Sequence, residues 1–65
     1  MRFKNEMLIE WKKEKKLKNE ECAEYAGISL GAWISYVKGK SVPTVETINL
    51  FASRIGINPI DFLEP

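Results

Sequence analysis

With 65 residues, 45% of them apolar and 29% charged, the chain has the composition of one small folded domain (1–65) and not of a disordered segment. Its single cysteine, Cys22, excludes an internal disulfide, and with no histidine present a His-dependent enzyme and a multi-Cys zinc module are excluded too. The net charge of +1 is low for a nucleic-acid binder, and no apolar run approaches the roughly 20 residues of a membrane-crossing helix.

The distribution of charge says more than its total. Residues 1–18 carry seven Lys/Arg against three Glu, residues 19–37 carry three Glu and no basic residue, and Lys38 and Lys40 follow at once. Basic charge therefore brackets the middle of the chain. The opening MRFKNE lacks the apolar core of a signal peptide, and a cytoplasmic location is the expectation.

Phe3 to about Lys16 reads as a first helix, with Phe3, Met7, Leu8 and Trp11 on one face. Glu10–Lys13 and Glu14–Lys18 have the spacing of helical ion pairs, and Lys12, Lys13, Lys15 and Lys16 suit a helix C-terminus. Leu17 anchors the short connection. Lys18 or Asn19 opens a second helix, with Asn19 as a good N-cap, Glu20 and Glu21 in the first turn, and Cys22, Ala23 and Ala26 facing inward. Cys22 sits among Glu20, Glu21 and Glu24, so it is expected to be buried and inert.

Gly27 ends this helix, Ile28 plugs the turn and Ser29 caps a third helix over Leu30 to Lys38. There Trp33, with Tyr36 or Val37, forms the inner face. Gly39 ends it, and Pro43 closes the loop that follows. Thr44 caps a fourth helix whose inner face is Val45, Ile48, Phe51, Ala52 and Ile55, ended by Gly56. Asn58-Pro59 starts a last short helix carrying Ile60 to Leu63, with Phe62 sealing the core. No strand is predicted. Helix, three-residue turn and helix over Asn19 to Gly39 make a helix-turn-helix unit, the centre of an all-α domain.

The run LKNEECAEYAGIS, the Ala23–Gly27–Ile28–Ser29 turn, Trp33, Gly39, Pro43 and the ending Phe51-Ala52 to Ile55-Gly56-Ile57 resemble the Cro/C1-type (XRE-like) helix-turn-helix family of small bacterial and phage regulators. The resemblance covers nearly the whole chain. It implies a compact five-helix lambda-repressor-like domain that binds double-stranded DNA as a homodimer on paired half-sites. It puts Ser29, Leu30, Gly31, Ile34 and Ser35 toward the bases. It puts Asn19, Lys18, Lys38, Lys40 and Ser41 at phosphates, and implies a dimer surface that would include Leu50, Ile60 and Leu63. No cofactor or metal is implied.

Two departures from that pattern stand out. Leu30 and Ile34 cannot hydrogen-bond a base and Gly31 has no side chain, so bidentate base contacts are lacking and sequence preference should be weak. The positions where the family often pairs Arg with Glu hold Lys12 and Val37. The alternative is a protein-interaction module, such as an antirepressor, presenting Leu30, Ile34 and Val37 as an outward stripe. An enzyme is not expected, since no nucleophile–base pair, metal cluster or phosphate-binding glycine loop is visible.

Overall fold

The computed structural model describes residues 2–64. In chain order these form β1 (Arg2–Phe3), α1 (Glu6–Lys15), α2 (Asn19–Ala26), α3 (Leu30–Val37), α4 (Val45–Ile55), a 3-10 turn (Pro59–Phe62) and β2 (Leu63–Glu64). The domain is mostly helical. Where a fifth helix was expected, the chain makes a single 3-10 turn, capped by Asn58 Oδ1 accepting from the Ile60 amide at 3.1 Å.

Capping chemistry sets most boundaries. Ser29 Oγ accepts from the Ala32 amide at 3.1 Å, and Thr44 Oγ1 accepts from the Thr47 amide at 3.2 Å. At its C-terminus each α-helix sends the chain back through a left-handed residue, so that an amide beyond the helix reaches a carbonyl in its last turn. Ile28 donates to Ala23, Lys40 to Ser35 and Ile57 to Ala52, with glycine at the left-handed position in each case. In α1 that position is Lys16, at φ 55°, the only left-handed non-glycine among the described residues.

The core draws on every element. Leu8 and Trp11 of α1, Cys22, Ala23 and Ala26 of α2, Trp33 of α3 and Ile48, Phe51 and Ala52 of α4 are buried, with Phe3 and Phe62 at the two ends of the chain. The small side chains on α2 let it pack closely against both α3 and α4. Phe62 stacks on Phe3 at 5.7 Å and meets Phe51 edge-on at 5.3 Å. Each such pair is worth about 0.5–1.5 kcal/mol beyond the area it buries.

Several sequence expectations are corrected. The first helix starts at Glu6 because Phe3 pairs with Leu63 in an antiparallel two-stranded ribbon, so the chain does contain strands. Glu14 and Lys18 do not pair, since Lys16 turns the chain left-handed before Lys18; Glu10 and Lys13 form no ion pair either. The ion pairs among the described residues join Arg2 to Glu6 and, at 2.7 Å, to Glu64, tying the ribbon to α1. Val45 is 64% exposed: as the first residue of α4 it lies a turn short of Ile48, where burial begins. The N-cap of α2 is Lys18, whose amide donates to Glu21 Oε1 at 2.9 Å; Asn19 is the first helical residue, which frees its side chain for another bond.

Candidate nucleic-acid interface

The indole of Trp33 is 1% exposed and points into the core. Its Nε1–H donates to Asn19 Oδ1 at 3.1 Å, so the start of α2 is bonded to the middle of α3. An indole N–H is a donor only, and it can be met only by the oxygen of the asparagine amide. The Asn19 NH2 group, with two donors, is thereby left for other partners. The second tryptophan contrasts with this. Trp11 is held by packing edge-on against Trp33 and Tyr25, and its N–H finds no acceptor among the described residues.

Helical geometry then assigns the faces of α3. At about 100° per residue, Gly31 and Ser35 each lie about 160° from Trp33, and Lys38 lies about 140° away. These three make the outward ridge. Leu30, Ile34 and Val37 fall only about 40–100° from Trp33, on the flank. Ile34 and Val37 accordingly pack against the core, while Leu30, in the first turn, is 38% exposed. The outward stripe expected of these three residues therefore reduces to Leu30.

Behind the ridge, the loop is fixed to the helix. Ser35 Oγ is hydrogen-bonded to Ser41 Oγ, and the Ser35 carbonyl accepts from the Lys40 amide at 2.9 Å. In such a hydroxyl pair one proton is spent on the contact, leaving a single outward O–H donor for the two serines. Lys18, Lys38 and Lys40 are exposed and enter no ion pair among the described residues. Ser29 is exposed, but its hydroxyl oxygen already serves as the cap of α3.

The far end of α3 carries a tether that the sequence did not disclose. Asn5 Nδ2 donates to the Val37 carbonyl at 2.8 Å, joining the start of α1 to the end of α3. Asn5 was hidden by being read as an interior residue of the first helix. Lys12 is half-buried and without an ion-pair partner among the described residues. Cys22 is fully buried, and burial is the main cause that pushes its thiol pKa up. The Glu21 carboxylate adds to this and Lys12 opposes it, so acidic neighbours are the lesser reason for its inertness.

Of the residues expected at a dimer surface, Leu50 is 45% and Ile60 68% exposed, whereas Leu63 packs against the core as part of β2. Tyr25, Val42 and Val45 are further exposed apolar residues. No group of three or more potential metal ligands occurs among the described residues. A scan against protein-family models finds no match, and searches of curated proteins and of solved structures find none either.

Proposed function

We propose that the chain is a DNA-binding transcriptional regulator of the Cro/C1 helix-turn-helix type, with a lambda-repressor-like arrangement in which the last helix is shortened to a 3-10 turn. The observation that carries this is the Asn19–Trp33 bond. It leaves the Asn19 NH2 group as a donor pair at the first turn of α2, on the positive end of the helix dipole and next to the Glu21 carboxylate that takes the Lys18 amide.

In this proposal Asn19 and Lys18 hold one phosphate, and Lys38, Lys40 and Ser41 follow the backbone nearby. Ser29, Leu30, Gly31 and Ser35 face the major groove. Ile34 is withdrawn to the flank and contributes little. Such contacts position the protein on a duplex with little choice of sequence. Exposed Leu50 and Ile60 favour self-association on paired half-sites.

A gel-shift titration over a range of salt concentrations tests the proposal. Three lysines neutralising phosphates should give a log–log slope of roughly −3 per protomer. A measurable affinity with no salt dependence, or no shift of any duplex, contradicts it.

A protein-interaction module is the second reading, favoured by the exposure of Leu30 on α3. It is weakened by the packing of Ile34 and Val37 against the core. Binding to a protein partner that Leu30→Lys abolishes, with no DNA binding, would establish it.

A further inference from the structure

The last turns of α1, α2 and α4 meet around a hollow of about 350 Å³, lined by Trp11, Lys15, Leu17, Tyr25, Arg54 and Ile55. That volume is at the small end of the range for ligand pockets. Leu17 and Ile55 are half-buried and supply aliphatic lining. The Tyr25 ring meets Trp11 edge-on at 6.2 Å yet is 58% exposed, so much of an aromatic surface is left without a partner. Trp11 itself is buried, and its indole N–H is the one buried side-chain donor without an acceptor among the described residues.

The charged residues lining this hollow are both cations. Neither Lys15 nor Arg54 enters an ion pair among the described residues. The Arg54 side chain crosses the end of α2 at Gly27, where a Cβ would stand 2.7 Å from its Nε, so the glycine leaves the guanidinium its path. Negative helix ends draw both cations to this place. Carbonyls there are already met by backbone amides, Lys12 by Leu17, Ala23 by Ile28 and Ala52 by Ile57, so the cations keep their own donors. Glu14, Glu21 and Glu24 line adjoining hollows and not this one.

We infer that this hollow binds a small organic carboxylate with a single-ring apolar body. Lys15 and Arg54 hold the carboxylate through charge-assisted hydrogen bonds, and the body packs against Tyr25, Leu17 and Ile55. None of these residues takes part in the DNA contacts proposed above, so the inference stands apart from that reading.

The test is an NMR titration of the full chain with 3-phenylpropionate at constant ionic strength. The Trp11 indole N–H and the amides of Lys15, Leu17, Tyr25, Arg54 and Ile55 should shift together and saturate with a Kd in the low millimolar range or tighter, as suits a ligand of this size. The neutral 3-phenylpropionamide should bind about tenfold more weakly. Lys15→Gln and Arg54→Gln should each weaken binding of the acid about fivefold, whereas Lys13→Gln, which removes the same charge outside the hollow, should leave it within about twofold. All three side chains are exposed, and the same spectra report whether the variants keep the fold. No saturable shift, equal binding of the acid and the amide, or an equal loss in Lys13→Gln and Lys15→Gln overturns the inference. None of these results touches the DNA-binding proposal.

Discussion

Asn19 and Trp33 are joined by a hydrogen bond of 3.1 Å from the buried indole to the side-chain carbonyl at the start of α2. The oxygen secures the core, and the NH2 group is left to donate to the phosphate proposed above. Asn19→Asp separates them. An aspartate still accepts from the indole and suits a helix N-terminus, so the melting temperature should be kept or raised. The same change places negative charge at the expected phosphate and should weaken DNA binding roughly tenfold, or about 1.4 kcal/mol. Asn19→Ala should instead cost about 1–3 kcal/mol of stability by leaving the indole N–H buried and unpaired. Thermal melts and shift assays on the two variants read these effects independently.

Lys16 offers a test of backbone chemistry alone. It ends α1 in a left-handed conformation that costs a non-glycine residue about 1–2 kcal/mol. Lys16→Gly should therefore stabilise the domain by about 1 kcal/mol, measured by urea unfolding. A loss of stability would mean that the lysine side chain contributes more than its backbone strain costs.

The aromatic cluster at the chain ends should be the most sensitive part of the core. Phe62 is fully buried between Phe3 and Phe51. Phe62→Ala should cost about 3–5 kcal/mol, which in a domain this small approaches its whole stability. Loss of native dispersion in a two-dimensional NMR spectrum at moderate temperature is the expected readout.

The Arg2 clasp should make stability depend on pH. Hydrogen bonding to Arg2 is the main cause that holds the Glu6 pKa below the usual carboxylate range. Its contribution is thus present above the ordinary glutamate pKa and is lost as pH falls through the lower value of the folded state. The melting temperature should fall over that acid window, and Arg2→Ala should flatten this part of the profile. Both groups are solvent-exposed, so the effect is small.

How much of this was legible in the sequence follows from the range of the forces involved. Ser29, Thr44 and Asn58 act on amides two or three residues away, and Gly27, Gly39 and Gly56 on the turn just before them, so the ends of the helices could be read locally. The inward faces of α2 and α4 were legible for the same reason. What depended on distant partners was not. Phe3 kept helical spacing with Met7 and Leu8, yet pairing with Leu63 at the other end of the chain holds it in a strand. Asn19 looked like a cap because nothing local announces an indole 14 residues on. The Ser35–Ser41 contact and the Asn5 tether to α3 likewise join residues that only the folded chain brings together. Val45 obeyed the apolar period but begins its helix where burial has not yet started.

The most direct test is a titration of the isotope-labelled protein with a short duplex, followed residue by residue through its amide NMR signals. Binding through the proposed surface should shift the Asn19 side-chain NH2 and the backbone amides of Lys18, Ser29 to Gly31, and Lys38 to Ser41, while Tyr25, Leu50 and Ile60 stay in place at low protein concentration. Shifts confined to the Tyr25, Leu50 or Ile60 side of the molecule, or none at saturating duplex and low salt, would contradict it.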